Sequence, residues 1–282
     1  MSLQGKTLFI SGASRGIGLA IALRAARDGA NVALIAKTAE PHPKLEGTIY
    51  TAAERIEAAG GTALPIVGDI RDEQQVAEAV AQAVSRFGGI DVCVNNASAI
   101  NLSRTEALDL KRYDLMQDIN VRGTFAVSRA CIPHLREAEN PHILTLSPPL
   151  DLDPRWLGPH LGYTLAKYGM SLIALGLAAE LREDGIASNA LWPRTLVATA
   201  AVQNLLGGDA AMARARKPDI YADAAYAVLN RPARACTGNA FLCEDVLVEE
   251  GVTDLSAYSY VDGAELAVDL FVDAANPPGV TG

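Results

Sequence analysis

The stretch Ser11-Gly12-Ala13-Ser14-Arg15-Gly16-Ile17-Gly18 joins a short apolar run at 7–10 to a helical pattern. Three glycines at such a junction allow a tight turn and a close approach of the backbone to a pyrophosphate, which the N-terminus of the following helix attracts. The spacing differs from the G-x-x-x-x-G-K-[ST] loop of ATPases. The stretch therefore predicts a dinucleotide-binding turn with contacts from Gly12, Ser14, Arg15, Gly16, Ile17 and Gly18.

Short apolar runs alternate with longer helical patterns along the rest of the chain. The runs lie at 7–10, 32–35, 63–67, 91–94, 143–146 and 187–191. The helical patterns lie at 17–28, 48–59, 72–87, 111–136, 162–183 and 219–229. Apolar strands separated by helices are typical of a doubly wound parallel α/β sheet, with both faces covered. Since no linker divides the chain, we interpret residues 1–282 as a single domain.

Two segments depart from this alternation. Residues 195–218 are helix-like with Gly207-Gly208 in the middle, and we interpret them as a lid that closes on the substrate. The last forty residues predict one strand at about 240–248 and an irregular tail.

Composition excludes several classes of protein. The chain is 50% hydrophobic and 20% charged, which is too apolar for a disordered protein, and its net charge of -9 disfavours nucleic acids and anionic membranes. Four cysteines without C-x-x-C spacing favour buried thiols in a reducing compartment. No apolar run approaches the ~18 residues of a membrane span, and neither a secretory signal nor a metal-ligand spacing is present. We therefore expect a cytoplasmic protein without a membrane span, nucleic-acid partner or metal.

The residues after the second strand bear on the choice of cofactor. An acidic residue there would bind ribose hydroxyls and select NAD, but this chain has Ala36-Lys37. A cation suits a 2′-phosphate, and Arg15 is a second candidate, so we expect NADP(H), with NAD(H) as the alternative. After the third strand, Asp69 and Ile70 are candidates to contact the adenine, although Asp69 could equally be an acid at a helix N-terminus without a ligand.

Tyr163 and Lys167 are candidates for acid/base chemistry, because positions i and i+4 share one face of a helix. An ammonium within ~4–6 Å favours the phenolate, so we expect Lys167 to lower the pKa of Tyr163 towards the working range of a general acid/base. Lys167 could also bond the nicotinamide ribose. Ser147 follows the fifth strand, where its hydroxyl would donate to a developing alkoxide. Asn120 is a poor interior helix residue, which favours a role in bonding backbone and holding a water near Lys167.

Together these residues resemble the short-chain dehydrogenase/reductase family. The resemblance implies a Rossmann-type fold with a seven-stranded parallel sheet, hydride exchange with NAD(P)(H), and a catalytic tetrad of Asn120, Ser147, Tyr163 and Lys167. It further implies that Asn95-Asn96-Ala97 line the cofactor, of which Asn96 and Ala97 are the predicted contacts together with Tyr163, Lys167, Pro193 and Thr195. Family members are commonly homodimers or homotetramers, packing helices that correspond to 111–136 and 161–183.

The chain departs from the family pattern at three places. Ser98 follows Asn95-Asn96-Ala97 where glycine is usual, and Arg194 follows Pro193 where glycine is usual. Ser147 and Tyr163 are sixteen positions apart, with Pro148-Pro149 between them, so we expect a longer and stiffer connection.

Four stretches look like one branch of the family, whose animal members carry an appended sterol-carrier domain. This chain stops before such a domain, so we expect it to lack one. The stretches are Ala36-Lys37-Thr38-Ala39-Glu40-Pro41-His42-Pro43-Lys44-Leu45, Asn95-Asn96-Ala97-Ser98-Ala99-Ile100, Ser147-Pro148-Pro149-Leu150 and Ala190-Leu191-Trp192-Pro193.

The candidate cleft residues are mostly apolar, which favours a hydrophobic alcohol or carbonyl substrate that is lipid-like, steroid-like or acyl-derived. Two other functions stay open: an enoyl reductase or dehydratase relative, and a non-catalytic nucleotide-binding sensor or scaffold on the same fold. The cleft candidates are Leu150, Trp156, Leu157, Leu161, Trp192 and Leu196, with the 195–218 segment.

Overall fold

Seven parallel strands form one sheet in the computed structural model, which describes residues 2–42 and 46–273. The strand order is β3-β2-β1-β4-β5-β6-β7, so the chain winds outward from β1 and then returns to the other side of it. This order confirms the doubly wound, Rossmann-type fold. The strands are β1 (Thr7–Ser11), β2 (Asn31–Ala36), β3 (Thr62–Val67), β4 (Val92–Asn95), β5 (His142–Thr145), β6 (Ala187–Trp192) and β7 (Ala240–Leu242).

Helices cover both faces of the sheet, as alternating side chains require. On β1, Leu8 and Ile10 belong to one buried cluster and Phe9 to another, because successive strand residues point to opposite faces. The helices are α1 (Gly16–Ala26), α2 (Ile49–Ala58), α3 (Glu73–Phe87), α4 (Leu110–Met116), α5 (Thr124–Leu135), α6 (Pro154–Leu157), α7 (Leu161–Glu180), α8 (Ala200–Leu205), α9 (Gly208–Ala213), α10 (Asp219–Leu229) and α11 (Cys243–Glu249).

Local signals fix several helix ends where the sequence predicts them. Asp72 accepts hydrogen bonds from the backbone of Gln74 and Gln75 and so caps α3. Gly88 ends that helix at φ 88°, in the left-handed region that glycine adopts without strain. The four cysteines are free and buried, which confirms their interpretation as small core residues.

The strand register brings the carboxyl ends of three central strands together. Ser11 at the end of β1 pairs with Asn95 at the end of β4, and Asn95 pairs with Thr145 at the end of β5. The order of the sheet reverses between β1 and β4. Ligands of open α/β sheets bind at such a switch point.

Two predicted elements differ from those observed, and a third agrees. The strand expected at about 240–248 ends at Leu242, and α11 follows, because Glu244 and Asp245 suit a helix N-terminus while Val246 and Leu247 are buried together. The 111–136 helix is divided by a π-helix, Gln117–Gly123. The 195–218 segment is helix-like as predicted, since it forms α8 and α9, which are separated at Gly207 with φ 131°.

One helix among the described residues is long and apolar enough to cross a membrane by length and composition. It is α7, with a mean hydropathy of 1.2, and 61% of the window is buried within the fold. The expectation that no apolar segment approaches this length is therefore wrong, although core helices of folded proteins pass the same test.

The pH dependence of stability follows from His142, which is buried on β5. Its Nε2 lies 3.0 Å from the carbonyl of Arg231, Nδ1 has no partner among the described residues, and burial lowers the pKa to about 4. Below pH ~6.5 this histidine binds a proton in the unfolded chain, whereas in the folded protein it binds one only near pH 4. Stability therefore falls as the pH drops through this range.

We predict that His142→Gln removes this dependence. Between pH 7.5 and 5, wild-type protein should lose about 2 kcal/mol more unfolding free energy than the variant, measured by urea denaturation at both pH values. Equal losses in the two proteins would contradict a neutral buried imidazole.

Candidate active site

The glycine turn rests on Asn96, the residue that follows β4. Its Nδ2 donates to the carbonyls of Ser11 and Gly12, both at 2.9 Å. A Cβ on Gly18 would stand 2.5 Å from that nitrogen, and a Cβ on Gly12 would stand 2.8 Å from Cα of Ala97. Gly12 has φ 74° and Gly16 φ 60°. Gly12 and Gly18 therefore leave room for Asn96 and its neighbour, and Gly12 and Gly16 adopt the left-handed backbone that the turn requires.

A cleft of about 780 Å³ opens beside this turn. It follows the carboxyl ends of β1, β2, β3 and β4, and α8 of the predicted lid forms part of its wall. Five of the predicted cofactor contacts do not line this cleft, namely Gly18, Tyr163, Lys167, Pro193 and Thr195. The predicted cofactor contacts that line it are Gly12, Ser14, Arg15, Gly16, Ile17, Lys37, Asp69, Ile70, Asn96 and Ala97.

Charged groups meet at the end of the cleft formed by β2 and β3. Lys37 Nζ lies 3.4 Å from Asp69 and its side chain is 57% exposed. Arg71 donates to both oxygens of Asp69, and this pairing, helped by Lys37, lowers the pKa of that carboxyl to about 2. Arg15 instead donates to the carbonyls of Glu46 and Gly47, at 2.9 and 2.7 Å, so it orders that loop.

Tyr163 and Lys167 are both buried on α7, where they are 5% and 3% exposed. Lys167 Nζ donates to the carbonyl of Leu146 at 2.8 Å and lies 5.0 Å from the centre of the Trp192 ring. Burial lowers the pKa of Lys167 to about 7 and raises that of Tyr163 well above its usual value. The expectation that Lys167 lowers the pKa of Tyr163 is therefore wrong for this arrangement, because burial is the larger influence. The phenol is held protonated.

Ser147 lies next to the hydrogen bond between Lys167 and Leu146, since Leu146 precedes it in the chain. Its side chain is fully buried, and its Oγ has no hydrogen-bond partner among the described residues. A buried hydroxyl normally finds a partner, so an unpaired one marks a place prepared for another polar atom.

Asn120 lies within the π-helix, and its side chain bonds the backbone as predicted. Its Oδ1 accepts from the Ala99 amide at 2.7 Å, and its Nδ2 donates to the Ala99 carbonyl at 3.0 Å. Both ends of the side-chain amide are thus used to hold the loop after Asn95-Asn96-Ala97-Ser98. The same π-helix packs on α7, where a Cβ on Gly169 would stand 2.7 Å from Val121.

The long connection between Ser147 and Tyr163 docks onto α7. Ser171 Oγ donates to the Pro148 carbonyl at 2.6 Å, and Thr164 Oγ1 donates to the Trp156 carbonyl at 2.8 Å. The connection also contains α6. These bonds fix the segment that borders Tyr163.

Arg194, which stands where the family usually has glycine, anchors the end of β6. Its guanidinium binds Asp245 through two hydrogen bonds, at 2.9 and 2.6 Å, and its backbone amide donates to Glu244. Thr195 Oγ1 also donates to Glu244, at 3.3 Å, and Pro193 is buried beside them. The segment from 193 to 195 is therefore fixed to α11.

Sequence reasoning missed the segment 267–273, which we call the cover segment. Phe271 and Val272 are buried in one cluster with Tyr163 and Trp192. Burial raises the pKa of Asp269 to about 7. The charge of Asp269 partly opposes the lowering of the Lys167 pKa by burial, and it adds to the raising of the Tyr163 pKa. No motif or periodicity marks this segment, so only the tertiary fold shows it.

Within the described ranges 2–42 and 46–273, no group of three or more His, Cys, Asp or Glu could hold a metal ion. Pro43-Lys44-Leu45 of the quoted 36–45 stretch lie outside these ranges, as do the predicted domain's residues beyond 273.

Comparison with known proteins places this site in a family. A family model described as short chain dehydrogenase matches residues 6–208. Hydroxysteroid dehydrogenase-like protein 2 of Danio rerio is 56% identical over 271 residues, which cover 96% of this chain and 65% of the relative. The human protein of the same name is 54% identical, with coverage of 96% and 64%. The chain thus spans less than two thirds of the length of these curated relatives.

Solved structures agree in fold. A short chain dehydrogenase from Mycobacterium thermoresistibile is 71% identical with a TM-score of 0.94, and the match covers 100% of both chains. The branch resemblance predicted from the sequence is confirmed as one to hydroxysteroid dehydrogenase-like protein 2. The glycine turn on Asn96, the buried tyrosine and lysine on α7, and the family match together show that this chain belongs to the short-chain dehydrogenase family.

Proposed function

We propose that this protein is an NADP(H)-dependent oxidoreductase that exchanges hydride with a hydrophobic alcohol/carbonyl pair, using Tyr163 as general acid/base. The observation that carries the proposal is the fully buried Ser147 hydroxyl, which lacks a partner among the described residues. Ser147 follows Leu146, whose carbonyl accepts a hydrogen bond from Lys167. Lys167 in turn lies four residues after Tyr163 on α7. A substrate oxygen supplies the missing partner.

The proposed reduction divides the work among three side chains. A nicotinamide held in the cleft would supply the hydride that the carbonyl carbon accepts. Tyr163, which is protonated at neutral pH, gives its proton to the carbonyl oxygen while Ser147 donates a hydrogen bond to the same oxygen. Lys167 stabilises the phenolate that remains. Oxidation of an alcohol uses the same groups in reverse. Asn120 acts by holding the backbone at Ala99, and so positions the loop beside the cofactor.

The residues present fit a dinucleotide. Gly16, at the N-terminus of α1, has only one atom within 4 Å of an added Cβ, so its face of the cleft is open to a diphosphate. The Lys37 side chain is exposed, so its ammonium can move from Asp69 to a 2′-phosphate. Asp69 keeps its negative charge and lies where it can accept from an adenine amino group, with Ile70 beside it.

A hydrophobic substrate is supported by the apolar cluster around Tyr163. Met116, Trp156, Leu157 and Trp192 belong to it or pack against it. We include the 195–218 lid in the proposal, supported by α8 in the wall of the cleft, and a single domain that extends over 1–282.

Assembly and location complete the proposal. Helices α5 and α7 expose the apolar side chains Phe125, Leu165 and Leu172, which support a homodimer or homotetramer packed through these helices. The four free cysteines support a reducing, cytoplasmic location.

Substitutions of Tyr163 and Ser147 test the proposed acid/base chemistry. Tyr163→Phe removes the proton donor and keeps the ring, so NADPH-dependent reduction of a ketone panel should fall about 10³-fold while NADP⁺ affinity stays within about twofold. Ser147→Ala should cost about 100-fold in kcat. Turnover is followed by NADPH absorbance, and affinity by calorimetric titration.

Tyr50→Phe, at an exposed position of α2, is the matched control and should retain wild-type turnover. Full turnover by Tyr163→Phe would show the assigned acid to be wrong. Conjugated enones belong in the panel, because reduction of enones alone would indicate an enoyl reductase. Nucleotide binding without any turnover would indicate a non-catalytic protein.

A substitution of Lys37 tests the choice of cofactor. Lys37→Ala should weaken NADP⁺ binding about tenfold, since one charge-assisted contact to the 2′-phosphate is lost, and leave NAD⁺ binding unchanged. Lys111→Ala, exposed on α4, is the control. An equal loss for both nucleotides, measured by calorimetry, would contradict the assigned contact.

Two glycine substitutions separate backbone strain from steric fit at the glycine turn. Gly12→Ala and Gly88→Ala both place alanine at positive φ, 74° and 88°, but only the former meets Ala97, since nothing lies within 4 Å at Gly88. Gly88→Ala should lose about 1–2 kcal/mol of stability and Gly12→Ala more than that, because its Cβ must also displace Ala97, and only Gly12→Ala should bind NADP⁺ more weakly. Unchanged nucleotide affinity in Gly12→Ala would be evidence against the turn as the cofactor site.

A further inference from the structure

The cover segment is bound to the end of β6 and to the residues that follow it. The Leu196 amide donates to the Ala267 carbonyl, and the Asp269 amide donates to the Arg194 carbonyl, both at 2.9 Å. Trp192 Nε1 donates to the Leu270 carbonyl at 2.9 Å. These bonds hold the segment across the carboxyl end of the sheet, above α7.

Phe271 projects from this segment into the centre of five aromatic rings. It is 2% exposed, and the nearest ring centre, that of Tyr168, is 5.3 Å away. The distance to the ring of Tyr163 is 6.1 Å, with the planes tilted by 34°. The remaining three rings lie at 5.7 to 6.2 Å and belong to Trp156, His160 and Trp192.

The backbone of Phe271 is strained. Its φ is 68°, and among the described residues it is the only one other than glycine at positive φ. A bulky side chain in the left-handed region costs free energy, which the packing of the ring must offset. The ring is therefore held in place by its contacts, and a ligand that makes the same contacts would release the strain.

The position of the ring matters for access to the reacting groups. Ser147 is fully buried, and Tyr163 and Lys167 are almost so, while Phe271 and Val272 lie in the same cluster as Tyr163. A substrate whose oxygen reaches Ser147 and Tyr163 needs space beside the phenol for the carbon groups attached to its carbonyl. The Phe271 ring fills space beside Tyr163 of the kind that these carbon groups need.

We propose that Phe271 is a specificity-determining residue, whose ring occupies the subsite beside Tyr163 that receives the apolar group of the substrate and is displaced when substrate binds. This inference rests on the proposed function for the identity of the reaction. It adds the chemistry of the subsite, which is an aromatic cage suited to a flat hydrophobic group attached to a carbonyl.

Binding in the absence of nucleotide tests the inference without any turnover. Benzylacetone is the probe, and butylbenzene is the matched hydrocarbon without a carbonyl. The two tryptophans of the chain, Trp156 and Trp192, both face Phe271, so their emission reports occupation of the cage. Phe271→Ala should bind benzylacetone about tenfold more tightly than wild type, because no ring has to be displaced.

A carbonyl preference separates a substrate subsite from a simple cavity. Phe271→Ala should bind benzylacetone more tightly than butylbenzene, and adding Ser147→Ala should abolish this difference. Val268→Ala, exposed on the same segment, should behave as wild type. Equal benzylacetone affinities in wild type and Phe271→Ala, or equal affinities of Phe271→Ala for the two probes, would overturn the inference.

Two further measurements keep the inference falsifiable. If circular dichroism shows that Phe271→Ala does not fold, Phe271→Leu should show the same order of affinities with a smaller gain, and wild-type affinity in that variant would overturn the inference. With NADPH, kcat/KM for benzylacetone relative to acetone should rise about tenfold in the variant. If neither ketone is reduced while the carbonyl preference persists, the proposed function fails and the subsite stands.

Discussion

One buried hydrogen bond, from the Lys167 ammonium to the carbonyl of Leu146, joins α7 to the end of β5. Helix α7 is otherwise apolar enough to pass for a membrane span, so a charge on its buried side needs a partner at the sheet edge. Leu146 supplies that partner and, as the neighbour of Ser147, sets the distance between the serine and the helix. The Trp192 ring and the Asp269 charge complete the surroundings of the ammonium. Every catalytic role proposed for this chain depends on that attachment.

The sequence predicts those features that are encoded locally. The glycine turn, the cap at Asp72 and the parallel sheet follow from short patterns, and each is observed. The strand expected at about 240–248 was wrong because Val246 and Leu247 suit a strand and a buried helix face equally. The cover segment had no local signal at all, since its burial arises from contacts with residues more than seventy positions away, such as Trp192.

Electrostatics marks the second limit of sequence reasoning. The spacing of Tyr163 and Lys167 correctly places them on one helix, but the direction of the pKa shift depends on burial, which spacing does not contain. Arg15 shows the same limit, because its guanidinium is used by the carbonyls of Glu46 and Gly47. Lys37 is then the better candidate for a 2′-phosphate, although Asp69 competes for it. Arg71 reduces that competition, since it already binds both oxygens of Asp69.

The cover segment connects the occupant of the aromatic cage to the titration of Tyr163 and Lys167. Burial is the main cause of both shifts, so water admitted beside Tyr163 would return the pKa of the phenol and of Lys167 towards their ordinary values. A flat apolar group that replaces the Phe271 ring excludes water as the ring does, and it preserves both shifts. A small polar substrate leaves part of the cage to water, which returns Lys167 to a full cation. A phenol is protonated at neutral pH in either case, so the occupant of the cage acts on the charge of Lys167 rather than on the protonation of Tyr163.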